Sequence, residues 1–393
     1  SEQSAQSIVT KKRFAVTNWK DITFDSQAIV QGLQPWIECE SPTWDAKAVD
    51  RMMDLAAVKC AELGATIERI PGAMGFGGSL RARFPHPNMG QPGIMISGHF
   101  DTVHPIGTLQ QNPFREEQGK IYGPGIQDMK GGNYITLEAI KGLRDAGIET
   151  KLPLVVLFTP DEEVGTPSTR TLIETEAQRA KYVLCPEPAH HDNGVTTGRY
   201  AIARFNLIAK GKPSHAGARL EDGVSAVKEL AKRILEIEEM TSESCTFSCN
   251  NLTSGKWVNC VPSFASAECL SMAKTQPDLE QGIDRILKMS GTRNGVTFEV
   301  TRGVTRPVWE PNLPGTLHLY EKARAISEEI GLEMPHRSQG GGSDANFTGA
   351  LGIPSLCSLG VKGEGLHTLD ECIYEEAIIP RTRILAGLLS TLE

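Results

Sequence analysis

The 393-residue chain contains no apolar run longer than about seven residues, Leu152 to Phe158. A membrane helix needs roughly twenty in succession, so no segment reads as crossing a bilayer. An excess of positive charge is also lacking: 40 Lys and Arg against 48 Asp and Glu leave a net charge of −8. That balance excludes a strongly basic nucleic-acid binder and leaves open only a local basic patch. No Cys-x-x-Cys pair occurs among the nine cysteines, Cys39, Cys60, Cys185, Cys245, Cys249, Cys260, Cys269, Cys357 and Cys372. An odd number of scattered thiols in a chain this long reads as reduced cysteine in a cytoplasmic protein, not as a disulfide framework. Cys245 and Cys249 could pair or bind metal, although isolated thiols are the simpler reading. Ser1 to Val9 is polar, meets Lys11-Lys12-Arg13, and lacks the apolar stretch of a secretory signal. A signal removed before residue 1 stays open. Internal repeats and low-complexity tracts are missing. What is present is ordinary globular composition, 39% hydrophobic and 22% charged. At about 150 residues per domain the length suits two or three domains.

The first half alternates helix and strand signals. Asp45 to Gly64 carries apolar residues at helical spacing and ends on glycine. Gly93 to Gly98 and Leu152 to Thr159 are short apolar runs bounded by turn residues, as buried strands are, and Tyr182 to Cys185 is a third. Gly132 to Gly147 and Pro167 to Glu176 read as helices. This alternation predicts an α/β layer with its strands covered on both faces. Near residue 195 the pattern changes. Ala203, Phe205, Leu207 and Ala209 alternate, which suits a half-exposed antiparallel strand. An amphipathic helix from Gly223 to Met240 follows, then Val261 to Met272, a helix near Asp278 to Met289 and a strand at Gly295 to Thr301. That βαββαβ-like order predicts a small α+β sandwich. From residue 314 the first pattern resumes. The expected organisation is one discontinuous domain, 1–195 and 308–393, interrupted by an insert, 196–307.

Five segments place His, Asp or Glu at strand ends, where open α/β sheets bind ligands. In Ser97-Gly98-His99-Phe100-Asp101, the two polar residues share a face of an extended chain, so Asp101 can orient His99 beside a metal. The motif is short and weak alone. A glycine-rich loop, 122–132, presents Asp128 at a helix start, where capping is the more ordinary role for a lone Asp. Asp161-Glu162-Glu163 follows a buried strand directly. Adjacent side chains point different ways, so one glutamate can bind metal while its neighbour stays free as a base; a solvated acidic turn is the alternative. Glu187 sits between two prolines that stiffen its backbone. His367 lies in a glycine-flanked loop. Together His99, Asp128, Glu163, Glu187 and His367 make a nitrogen and oxygen donor set without thiolate. It suits zinc, cobalt or manganese in a hydrolytic site. Five donors with one bridging carboxylate suffice for two divalent ions. Other histidines, among them His86, His104, His318 and His336, carry no supporting pattern. His190 and His191 read as loop residues. GGGSDANF, 340–347, reads as a flexible segment supplying amide donors near a substrate.

The motifs SGHFDTV (97–103), YGPGIQDMKGGN (122–133), PDEEVG (160–165), PEP (186–188), GKPSHAGA (211–218), GGGSDANF (340–347) and LHT (366–368) together resemble the M20 family of metallopeptidases and amide hydrolases. Within that family the chain is most similar to glutamate carboxypeptidases of the carboxypeptidase G2 type. The resemblance implies an α/β, phosphorylase/hydrolase-like zinc-peptidase catalytic domain with an inserted α+β, ferredoxin-like dimerisation and lid domain. It implies two divalent metal ions, zinc first. His99 and Glu187 would hold one, Glu163 and His367 the other, with Asp128 bridging. Glu162 would be general base and acid, and Asp101 would orient His99. His215 would reach the active site of a second subunit in a homodimer and stabilise the oxyanion. Asn259 and Arg306 would grip the terminal carboxylate of a small peptide or N-acyl amino acid. Leu270-Ser271-Met272, the extra Val304-Thr305 and Met129 depart from the family pattern. They leave the ligands untouched and bear on glutamate specificity, so an N-acyl-amino-acid deacylase or dipeptidase is the competing expectation. A non-catalytic relative would lack a ligand or the base, and none is missing.

Overall fold

The computed structural model describes residues 18–393. The readings of Ser1 to Val9 and of Lys11-Lys12-Arg13 lie outside the described residues. The larger sheet has six strands in the order Thr66–Ile70, Ser79–Arg83, Leu154–Thr159, Gly93–His99, Ala180–Leu184 and Ser355–Leu356. The last four run parallel, and the first two are antiparallel additions at one edge. Gly93–His99 is buried at every position, which explains why it reads as a continuous apolar run rather than an alternation. Ile94 and Ile96 face one core, with Val156, Leu137 and Leu385. Met95 faces the other, with Leu157, Val183, Ile173 and Phe347. The four parallel strands end on one side, and the catalytic candidates collect there.

The second sheet is antiparallel throughout, in the order Cys245–Ser254, Phe264–Ala273, Ala201–Lys210, Val296–Arg306, Gly291–Arg293. Its buried residues, Phe205, Leu207, Leu230, Phe247, Ile286 and Phe298 among them, form a core of their own. Helices Ala226–Glu238 and Gln276–Leu287 supply part of it. The alternation expected in Ala201–Lys210 is present, with Ala203, Phe205, Leu207 and Ala209 buried. With the short Gly291–Arg293 hairpin set aside, this is a βαββαβ sheet of ferredoxin-like order. The fold is thus the expected α/β layer with an α+β insert.

A third, four-stranded antiparallel sheet, Gly363–Glu364, Cys372–Tyr374, Lys120–Tyr122 and Arg115–Glu117, ties two distant loops together. Pairing of Cys372 with Tyr122 brings the loop after Tyr122 beside the loop before Cys372. One carries Asp128 and the other His367.

Helix Ser26–Glu38 is absent from the sequence reading because Gly32 and Pro35 interrupt its pattern. Tertiary packing requires the glycine: a Cβ at Gly32 would lie 1.8 Å from the Tyr134 hydroxyl oxygen. Strand Cys245–Ser254 is a mostly polar edge strand and also went unread. Among the described residues no helix is long and apolar enough to cross a membrane. All nine cysteines are free thiols.

Candidate metal centre

His99 closes the central strand, Glu162 and Glu163 follow Leu154–Thr159, and Glu187 follows Ala180–Leu184. Helix Gly131–Ala146 begins just past Asp128. Its first turn presses on the Pro186-Glu187 turn so closely that a Cβ at Gly132 would sit 1.9 Å from the Pro186 carbonyl oxygen. Only glycine permits that approach.

Asp128 stands between the two imidazoles. Its Oδ1 is 3.2 Å from His99 Nε2 and its Oδ2 is 3.1 Å from His367 Nε2. Glu187 Oε1 lies 3.7 Å from His99 Nε2 on one side. Glu163 Oε2 lies 3.4 Å from His367 Nε2 on the other. All five expected ligands are therefore brought together, with His99 and Glu187 in one lobe and His367 and Glu163 in another, on either side of Asp128. Donor atoms of His99, Asp128 and Glu163 lie within 4.8 Å of one another, as do those of His99, Glu162 and Glu187. Glu162 thus joins the donors on the Glu187 side.

The donors fit divalent cations chemically. Among the described residues Glu163 Oε1 is buried without a hydrogen-bond partner. Burial, with the neighbouring Asp128 charge, pushes Glu163 up to about 7. Burial pushes Glu162 up to about 8, against the pull of Arg306. Glu187 is raised by burial and by Asp128. Burial opposes the charge on Asp128 as well, yet hydrogen bonds from His367 and His99 hold its carboxyl below the usual range. The same bond to Asp128 raises His367 to about 10. Burial disfavours a charged His99, but Asp101 and Asp128 raise it overall. Acids crowded out of water around two imidazoles resist ionising together, and a divalent cation removes that conflict.

Asp101 is fully buried. Its carbonyl accepts from His99 Nδ1 at 3.0 Å, and its Oδ1 lies 3.3 Å from the same nitrogen. Its carboxylate also accepts from Glu162 N, Glu163 N and the Thr43 hydroxyl. Asn133 donates to the His99 carbonyl at 2.7 Å. Arg306, only 4% exposed, ends a strand of the insert. Its Nη2 donates to Glu162 Oε1 at 2.8 Å, to the Glu162 carbonyl and to Thr166 Oγ1; its Nη1 lies 3.2 Å from Asp344 Oδ1. The sequence reading gave Arg306 a substrate partner alone, whereas both terminal nitrogens have protein partners. GGGSDANF likewise supplies more than flexibility, because Asp344 accepts from Thr159 and Thr166 and pairs with Arg306. Glu371 entered no expectation, and His104, read as carrying no supporting pattern, is its hydrogen-bond partner. His215 and Asn259 are exposed on the insert, joined by the Ala216 N to Asn259 carbonyl bond. His215 Nδ1 accepts from Gly217 N and Ala218 N, which leaves the ring proton on Nε2. Among the described residues neither is hydrogen-bonded to the five ligands.

Residues 95–391 match Peptidase family M20/M25/M40, and the chain belongs to this family of hydrolases acting on C–N bonds. Carboxypeptidase G2 of Pseudomonas sp. (strain RS-16) is 31% identical over 93% of this chain and 89% of its own length. Aminoacylase-1 of Mus musculus is 25% identical over 85% of this chain and 88% of its own. A tripeptidase structure from Staphylococcus aureus superposes with a TM-score of 0.76 at 19% identity, covering 93% of this chain and 98% of that one, a likeness of fold.

Proposed function

We propose that the chain hydrolyses an amide bond next to a C-terminal amino acid with a free carboxylate, in the manner of a glutamate carboxypeptidase, with two divalent cations, zinc first. The observation that carries this is the position of Asp128 between His99 and His367, with Glu187 and Glu163 flanking. His99 and Glu187 would hold one ion, His367 and Glu163 the other, and Asp128 both. When bound, such a pair supplies Lewis acidity and makes a nucleophile available near neutral pH. Glu162 takes the proton of the attacking water and returns it to the leaving amine. Asp101 orients His99 and, through the Glu162 and Glu163 amides, the turn that carries the base. Arg306 holds the substrate carboxylate, which exchanges with Glu162 for the guanidinium.

Residues 196–307 would act as a separate lid and dimerisation domain. His215 and Asn259 are too exposed to serve their own chain's cluster, so a second copy would supply them, His215 at the oxyanion and Asn259 at the carboxylate. Exposed Trp257, in the same turn as Asn259, suits such a contact. Nine free thiols accord with a reducing, cytoplasmic setting. A deacylase or dipeptidase reading is favoured by one feature. Arg306, Ile202 and Met272 form one row across three strands, so the neighbours of the guanidinium on that row are apolar.

A panel of C-terminal glutamate peptides and N-acyl amino acids, run on zinc-loaded protein, tests both readings. Cleavage next to a free carboxylate is expected, with Arg306→Ala raising KM chiefly for those substrates. No cleavage of any member, or equal cleavage of the carboxamide analogues, overturns the proposal.

A further inference from the structure

We propose that Glu371 is a positioning residue that fixes the Asp128 loop for metal binding; this rests on the metal-site reading above. Glu371 is fully buried and belongs to neither lobe. Its place follows from strand register. Cys372 pairs with Tyr122, so Glu371 lies beside Gly123, whose amide donates to the Glu371 carbonyl at 3.2 Å. The side chain then runs under the glycine-rich loop. Oε2 accepts from Gly125 N at 2.9 Å. Oε1 accepts from Gln127 N at 2.8 Å and Asp128 N at 3.0 Å. His104 Nε2 closes the set at 2.5 Å from Oε2.

Three amides of one loop thus converge on one carboxylate, and the last of them belongs to the bridging residue. Besides these bonds, Ile126 N donates to the Gly123 carbonyl and Lys130 N to the Gly125 carbonyl. Gly125 has φ +71, and a Cβ there would meet Thr102 Cγ2 at 2.6 Å. The chain is non-helical at Asp128 and Met129. A buried carboxylate that gathers successive amides does for this loop what a hydrogen-bond ladder does for a strand. His367 lies four residues before Glu371 in sequence, so the same segment that contributes one ligand directly also sets another through the backbone. Removing the clamp should loosen Asp128 relative to both imidazoles and weaken both lobes together.

Zinc titration of apo full-length protein, read by calorimetry, tests this alongside amide hydrogen exchange. Glu371→Gln keeps the volume but turns an acceptor oxygen into a donor facing the Gly125 amide. We expect its zinc affinity to fall about 10–100-fold, with faster exchange confined to residues 123–130 and unchanged exchange in Gly93–His99. If Glu371→Gln does not fold, His104→Asn, which removes one partner only, is expected to weaken zinc binding several-fold. Unaltered zinc affinity in the folded variant overturns the clamp. Wild-type protein that binds no zinc overturns the metal-site reading itself, a result distinguishable from the first.

Discussion

Replacing Asp344 by alanine removes the carboxylate that bolts an insert residue to the catalytic layer. Asp344 is 2% exposed and Arg306 4%. The pair is 3.2 Å apart, and Asp344 also accepts from Thr166 Oγ1 at 2.5 Å and Thr159 Oγ1 at 3.1 Å. Breaking a buried pair by removing one partner costs about 3–5 kcal/mol, because the other charge stays buried. Arg306 keeps Glu162 Oε1 as a counter-charge, which places the expected loss near the lower end, about 3 kcal/mol. Urea unfolding of Asp344→Ala, Arg306→Met and the double variant measures it. The two single losses should overlap, with a coupling of about 2 kcal/mol. On the proposed role of Arg306 as an anchor for a substrate carboxylate, activity should drop in parallel by about 100-fold in kcat/KM. A loss below about 1 kcal/mol, or strict additivity of the two single changes, would refute the reasoning.

Glu162→Ala should lower kcat by about three orders of magnitude with zinc stoichiometry unchanged; wild-type turnover removes the base from the mechanism. Gly132→Ala should cost about 1–3 kcal/mol by overpacking against the Pro186 carbonyl, and should weaken zinc binding because Glu187 moves with that turn; equal Tm and affinity would contradict the contact. Burial, with Arg337 nearby, lowers His190 to about 4, so the folded chain keeps it neutral. The unfolded chain protonates it near the ordinary value of about 6.5. Its contribution to stability is therefore full above about pH 6.5 and lost as the pH falls toward about 4. For a half-buried ring this amounts to about 1–2 kcal/mol. His190→Asn should flatten the fall in unfolding free energy over that window, and an unchanged slope would reject the assignment.

The residues proposed as ligands were legible because each sits at the end of a strand or in a glycine-rich turn, where residue type announces chemistry. His99 follows an apolar run buried at every position, and Glu163 follows another. The supports were harder to read. Glu371, Asp344 and Asn133 act across 34 or more residues of sequence, through bonds to backbone amides, hydroxyls and carbonyls, and no local pattern encodes such a partner. Arg306 was read as a substrate anchor because its VTRP segment resembles the family's, with an Arg suited to a carboxylate. That its nearest carboxylates are Glu162 and Asp344 follows only from the insert strand's approach to the catalytic layer. Helix Ser26–Glu38 was hidden for the opposite reason: its glycine is demanded by Tyr134 rather than by a turn.

The account depends most on Asp128 serving both lobes. Zinc bound per chain, measured by elemental analysis after equilibrium dialysis, tests this directly on wild type, Asp128→Ala, Glu187→Ala and His367→Ala. The account predicts about two ions for wild type, about one for each lobe variant and close to none for Asp128→Ala. Two ions retained by Asp128→Ala, or none bound by wild type, would contradict it.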